Sequence, residues 1–398
     1  MPDISNRGMT MPSSPIRKLA HLASNAKGQG VKVYHLNIGQ PDLPSPKQAL
    51  DAIHNVDRTT LEYSPSEGYK SLRGALSRYY SRLGIDIPPE EIIVTTGGSE
   101  AIMFSFLACL DTGDEIIMVE PCYANYISMA VAAGVKVRTV TSRIEDGFAL
   151  PQADEFEKAI TPATKAILLC NPSNPGGNLY TAQELKRLRN IVKKHDLFLF
   201  SDEVYREFVY SDEPFVSALS LGIEQNVVLI DSVSKRYSEC GIRIGALISR
   251  NPQVRETVMK LCQARLSPPL LGQIAAEASI DGTEAYSKKC YQEYKARRDY
   301  FIDALNRIPG VFSPKPEGAF YTIASLPVDN AEDFCRWCLT DFRDNMETIM
   351  LAPAEGFYCN PELGRRQVRL AYVLKIEDLK RCISLLTKAL EQYNSTIK

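Results

Sequence analysis

The chain has 398 residues, 44% hydrophobic and 24% charged, with 46 Lys and Arg against 48 Asp and Glu. That length exceeds one ~150-residue domain and the apolar share is ordinary for a globular protein, so two domains around a large core are expected. A formal net charge of −2 gives no electrostatic footprint for nucleic acid, and no run approaches the roughly 18 apolar residues of a membrane span.

Taken in chain order, residues 1–45 are polar and rich in Pro and Ser, which fits an arm that wraps a partner or covers a site and that also contributes to the smaller domain. Strand-like and helix-like segments alternate over residues 46–285, the pattern of a three-layer α/β/α domain with a mostly parallel sheet. The charged helical run from Ala285 to Arg307 leads into a smaller α+β domain over residues 286–398. No internal repeat or low-complexity tract interrupts this plan. The N-terminus has no apolar stretch of the kind that directs export, so a cytoplasmic protein is expected. The ten cysteines are scattered and read as reduced, mostly buried small hydrophobes. Cys335-Arg-Trp-Cys338 has no second such pair and no neighbouring histidines, so no metal site is expected.

Four polar clusters each follow a short apolar run. Thr95-Thr-Gly-Gly-Ser-Glu100 follows Ile92–Val94 and opens a helix-like stretch; Gly98 and Ser99 there offer backbone N–H groups and a positive helix end to a phosphate. Asn171-Pro-Ser-Asn-Pro-Gly-Gly177 follows Ala166–Cys170, Ser201-Asp-Glu-Val-Tyr205 follows Leu197–Phe200, and Asp231-Ser-Val-Ser-Lys235 closes the run from Asn226. Ligands of open α/β sheets bind beyond the carboxyl ends of the strands, so these clusters can converge on one pocket. A lysine after a strand is usually a solvated loop residue. At the end of a buried strand, however, its amine is either neutral or bonded to something, and an aldehyde cofactor would satisfy it by forming an imine.

With Asn37-Ile-Gly-Gln-Pro-Asp42, Tyr63-Ser-Pro-Ser-Glu-Gly68, Pro316-Glu-Gly-Ala-Phe-Tyr321 and Val368-Arg-Leu-Ala-Tyr372 in the same order, the chain resembles the fold-type I pyridoxal-phosphate enzymes of the class I/II aminotransferases, in the aspartate aminotransferase branch. The resemblance implies pyridoxal 5′-phosphate as cofactor, with Lys235 as the Schiff-base lysine and proton carrier. It implies Asp202 at the pyridine nitrogen, Asn174 and Tyr205 at the phenolic oxygen, and Tyr123 stacked on the ring. The phosphate would fall to Gly98, Ser99, Ser232, Ser234 and Arg243, and to Tyr63 from a second subunit, so that a homodimer shares its active sites. Arg243 is also expected to push the Lys235 amine toward its neutral form.

For the substrate, the resemblance implies that Arg369 clamps the α-carboxylate with its planar fork, with Gly39, Ile38 and Asn174 alongside. A distal carboxylate needs a second cation. Arg265, in Arg265-Leu-Ser-Pro-Pro269, is the candidate, with Arg17 and Lys18 in reserve; a related subgroup carries a lysine where this chain has Ser99. One departure is Gly176, where the family commonly has Thr; the turn is expected to survive with only a hydroxyl lost. The expected reaction is ping-pong transamination between aspartate and 2-oxoglutarate, with an aromatic or broad neutral amino acid aminotransferase as the alternative and a C–S lyase behind it.

Overall fold

A computed structural model describes residues 2–396. Its strands are β1 (Lys32–His35), β2 (Ile92–Thr95), β3 (Glu115–Glu120), β4 (Lys136–Thr141), β5 (Thr164–Cys170), β6 (Phe198–Asp202), β7 (Val227–Ser232), β8 (Gly245–Ile248), β9 (Tyr321–Ser325), β10 (Glu347–Met350), β11 (Ala352–Pro353) and β12 (Gln367–Ala371). Strands β2 to β8 form one sheet in the order β2-β8-β7-β6-β5-β3-β4. β8 runs antiparallel to both its neighbours, and the remaining pairs are parallel.

The sequence dictates this sheet through burial on both faces. Every residue of β7 is buried, and in β5 only Lys165 reaches solvent, as continuous apolar strands under two helical layers require. Alternate residues supply separate cores: Ile116, Met118, Leu168, Phe200 and Ile230 pack on one side, Ile117, Val119, Ile167, Leu199 and Leu229 on the other. The helix Gly97–Cys109 is apolar on nearly all sides, as suits an element sandwiched in the interior. The amphipathic helix Ala182–His195 starts at a reciprocal Thr181/Glu184 capping box and ends in Lys193, Lys194 and His195, which complement its dipole.

Two smaller sheets lie beyond the 22-residue helix Glu284–Leu305. β11, β12 and β9 pair antiparallel, and β1 pairs parallel with β10 in the register Lys32↔Glu347 to His35↔Met350. The N-terminal segment therefore inserts among the C-terminal strands. Past β1 the chain stays pinned, because Ala371 N–H donates to the Leu36 carbonyl at 2.8 Å. Arg297, buried in the long helix, donates to the Asp42 carboxylate at 2.6 Å and to the Val373 carbonyl. Residues 37–42 are thus held at both ends over the mouth of the large sheet.

Candidate active site

β7 ends at Ser232, whose hydroxyl caps the short helix Val233–Arg236 by accepting the Ser234 N–H at 3.2 Å. The same oxygen donates to the Ile244 carbonyl at 3.0 Å and sits 2.8 Å from Ser234 Oγ. This turn aims Lys235 at the 37–42 loop, where Nζ donates to the Gly39 carbonyl at 3.1 Å and lies 3.7 Å from Cys240 Sγ. Burial alone depresses the lysine's pKa, but the Tyr321 phenol, the Cys240 thiol and Tyr123 outweigh it and hold the ammonium above its ordinary range. This differs from the expected push toward the neutral amine. Arg243 is exposed and donates to the Cys240 and Thr96 carbonyls at 3.0 and 3.5 Å, and it is not among the main groups acting on the lysine.

Where β2 meets the helix Gly97–Cys109, no side chain caps the first turn. Gly97 has φ +74°, and a Cβ there would collide with the Arg243 guanidinium. A Cβ on Gly245 would come within 2.7 Å of Gly98 N, so glycine is needed for β8 to press against the helix start. Ser232 faces Gly245 in register. Uncapped N–H groups, two serine hydroxyls and a guanidinium therefore gather at a helix N-terminus, a combination suited to a phosphate.

At the end of β6, Asp202 is buried and accepts a hydrogen bond from Tyr126 OH at 2.5 Å and from Val204 N–H at 3.3 Å. Burial is the largest influence on it and, against those two donors, lifts its carboxyl from 3.8 to about 6. The folded chain then binds the proton more tightly than the unfolded one, so this group's favourable contribution is present below the unfolded value and is lost as pH rises through the folded value. In cofactor-free protein, Asp202→Asn is expected to gain stability over wild type as pH rises from about 4 to about 6, by up to ~3 kcal/mol. Urea unfolding across that range checks this; a pH-independent difference would refute it.

Arg369, on β12, is buried and donates to Asn174 Oδ1 at 3.2 Å and to the Asn37 carbonyl. Its guanidinium lies over the rings of Tyr321 and Phe357, 4.7 and 5.2 Å from their centroids, and its Nε has no partner. Tyr205 OH is 3.5 Å from Asn174 Nδ2 and 3.1 Å from Tyr321 OH, while Tyr321 OH donates to the Gly39 carbonyl at 3.3 Å. The Tyr123 phenol feels the charges of Lys235, Arg369 and Asp202. Lys235, Gly39, Tyr205, Asn174 and Arg369 are thus joined through hydrogen bonds that run by way of Tyr321, with Tyr123 and Asp202 close enough to feel the same charges. Gly39 is required there, because a Cβ would overlap the Tyr321 ring.

Other candidates lie apart. Tyr63 is 76% exposed in a stretch without regular secondary structure, and Ile38 is 39% exposed. Ser99 lies in the first turn of the Gly97–Cys109 helix. Arg265 is already neutralised: it donates to Glu100 at 2.6 Å and to the Ser66 carbonyl at 2.8 Å. Lys18 is ion-paired with Glu332, and Arg17 is exposed. Gly176 loses more than a hydroxyl, since any Cβ would meet Asn178 Oδ1 at 2.8 Å and Phe148 at 3.0 Å; a threonine does not fit this turn without movement. Tyr126, Tyr321, Phe357 and Asn37 also contact the candidate site's side chains, with no role for them expected from the sequence. Tyr126 lies three residues after Tyr123, which precedes the helix Ala124–Ala133, and the two rings meet edge to face; the others are brought in by tertiary pairing. All ten cysteines are free, and among the described residues no cluster suits a metal ion and no helix is long and apolar enough to cross a membrane.

The family description "Aminotransferase class I and II" matches residues 31–386. The chain is a class I/II aminotransferase. It is 31% identical to an aspartate aminotransferase of Thermotoga maritima, covering 93% of this chain and 95% of that one. It is also 31% identical to an aspartate/prephenate aminotransferase of Thermus thermophilus, over 80% and 84%. The solved alanine aminotransferase of Pyrococcus furiosus superposes with a TM-score of 0.90 at 31% identity, covering 98% of this chain and 100% of that one.

Aminotransferases of this class use pyridoxal 5′-phosphate, and the residues present fit it. The Gly97 turn with Arg243 is a cradle that a Cβ would fill. Asp202 is a buried carboxylate able to face a pyridinium, and Lys235 supplies an amine within the same space.

Proposed function

We propose that this aminotransferase exchanges the amino group of aspartate with 2-oxoglutarate in a ping-pong cycle. The observation that carries an amino acid/oxo acid site is Arg369, a buried guanidinium with an unpartnered Nε that shares its space with Lys235 and Asp202. With the cofactor in place, Lys235 would be the amine that bonds its aldehyde carbon and, once freed by the incoming amino acid, would carry the proton from the substrate Cα. When bound, the cofactor supplies a sink for the electron pair left at Cα. Asp202 would hold a proton at the pyridine nitrogen, Asn174 and Tyr205 would donate to the phenolic oxygen, and Tyr123 would lie against the ring. Gly98, Ser99, Ser232, Ser234 and Arg243 hold the phosphate. Arg369 orients the α-carboxylate, with Gly39, Ile38 and Asn174 alongside it. Tyr63, with its neighbour Leu61, is exposed as expected of a segment that reaches a second subunit, and the ten free cysteines suit a reducing cytoplasm.

The choice of aspartate is supported by the names of the relatives. The Glu100–Arg265 pair favours the second reading, an aromatic or neutral amino acid donor, because a neutralised arginine attracts a distal carboxylate weakly. If Arg265 receives that carboxylate, Glu100→Gln is expected to raise kcat/KM for aspartate roughly tenfold and Arg265→Ala to lower it by at least as much. Two variants that match wild type would remove Arg265 from the substrate site. The deciding experiment adds aspartate, glutamate, phenylalanine, alanine and cysteine singly to the cofactor-loaded protein and follows conversion to the amine form by absorbance. Conversion by aspartate and glutamate supports the proposal, conversion by phenylalanine alone overturns the donor, and pyruvate and ammonia released from cysteine without any oxo acid indicate a lyase.

A further inference from the structure

Directly behind the active site lies a buried ionic cluster that the chemistry above leaves unused. Asp231, 1% exposed at the end of β7, accepts from Arg236 at 2.5 Å, from Tyr80 OH at 2.8 Å and from the Ser232 N–H at 2.7 Å, with Arg206 3.4 Å away. Glu203, also 1% exposed, approaches Arg206 at 3.8 Å and accepts from Ser217, Ser201 and the Ala218 N–H. The Arg236 guanidinium lies 4.2 Å from the Tyr79 ring centroid and that of Arg206 4.6 Å from the Tyr80 ring centroid. Two cations and two anions are thus removed from water together. Burial opposes the Asp231 charge, and the two arginines overcome it and hold the carboxyl at about 2.

Such a cluster is a poor way to gain stability alone, since buried ion pairs rarely improve on apolar residues of the same volume. Here Arg206 Nη1 and Nη2, Arg236 Nε and Glu203 Oε2 even lack hydrogen-bond partners. What the cluster does have is an address. Arg236 follows Lys235, Arg206 follows Tyr205, and Asp231 precedes Ser232, so a single carboxylate is tied to the neighbours of three residues that face the cofactor space.

We propose that Asp231, Arg206 and Arg236 are positioning residues that fix Lys235 against Tyr205 and the phosphate-binding hydroxyls. They touch no reacting atom. Arg236 anchors the last residue of the four-residue helix to the strand it leaves, which keeps the Lys235 side chain directed at the Gly39 carbonyl. Arg206 draws the Tyr205 turn to the same carboxylate. With Arg236 neutralised, Asp231 retains Arg206 and the sheet persists, while the lysine turn loses its tether. The inference rests on Lys235 being the amine that bonds the cofactor.

The test compares wild type with Arg236→Met, Arg236→Lys and Tyr80→Phe. Three quantities are read: the rate at which cofactor-free protein forms the borohydride-reducible bond to pyridoxal phosphate, the pH midpoint of the loaded protein's absorption band, and the thermal midpoint. Arg236→Met is expected to slow bond formation roughly tenfold and to move the band's midpoint by about one pH unit, with Arg236→Lys restoring most of both. Tyr80→Phe removes one hydrogen bond to Asp231 and is expected to shift both readouts in the same direction by less, which keeps the test decisive if Arg236→Met does not fold. A lowered thermal midpoint with bond formation and band unchanged, in either Arg236→Met or a folded Tyr80→Phe, overturns the proposal. Wild type that forms no reducible bond overturns instead the assignment of Lys235.

Discussion

Lys235→Ala is expected to lower kcat/KM for every amino donor by at least about 10,000-fold. Among the described residues Lys235 is the amine that donates to the Gly39 carbonyl, close to Asp202, Tyr123 and Arg369, and the proposal gives it both the covalent attachment and the proton transfer. The proposed phosphate cradle, built from the Gly97 turn, the two serines and Arg243, does not depend on it, so cofactor is expected to remain bound but to wash out on dialysis. The ammonium makes only two contacts, to Gly39 and Cys240, and its loss should leave the thermal midpoint close to wild type. Mass spectrometry after borohydride reduction, alongside steady-state kinetics, checks all three. Residual activity above a hundredth of wild type would assign the proton transfer to another group.

Arg369→Ala is the second large effect. Removing one partner of a buried, charge-assisted contact costs ~2–5 kcal/mol, so kcat/KM should fall by about 30- to 5,000-fold. Because the α-carboxylate is common to all donors, the loss should be the same factor for aspartate, phenylalanine and alanine, and this uniformity distinguishes a clamp from a side-chain contact. Burial already depresses the Arg369 pKa against the pull of the surrounding tyrosines, so the charge is held at a cost to the folded chain, which suits a group kept for binding. Arg369→Lys keeps the charge and loses the fork, and is expected to fall between alanine and wild type. A penalty confined to one donor, measured by single-turnover kinetics, would contradict the clamp.

The parts of the fold and site written in local sequence could be read directly. Apolar runs such as Ala166–Cys170 and Asn226–Asp231 appear as β5 and β7 within two residues at each end, because full burial on both faces leaves little else for such runs to form. The clusters after them lie at strand ends for the same reason. The three-layer α/β/α architecture follows from the alternation, and the aspartate aminotransferase-like solved structures agree with it. The charge state of a group depends on what long-range packing brings to it, and that was not legible. Tyr126 reaches Asp202 across 76 positions, and Glu100 reaches Arg265 across 165. The same holds for Lys235, whose amine is set by Tyr321 and by a cysteine five residues along rather than by the nearby arginine.

The parallel pairing of β1 with β10 has a consequence for biosynthesis. Lys32–His35 finds its partner only at Glu347–Met350, about 300 residues later, and at ~5–20 residues per second of translation that is a wait of roughly 15 to 60 s. During that interval Val33, Tyr34 and Leu36, all buried in the finished chain, have nowhere to pack, and the loop bearing Gly39 has no anchor. The nascent large domain can assemble its sheet from β2 to β8 well before release. The loop bearing Gly39 is therefore fixed only once Glu347–Met350 has been made, which leaves the N-terminal strand the longest exposed of the apolar segments that the finished chain buries.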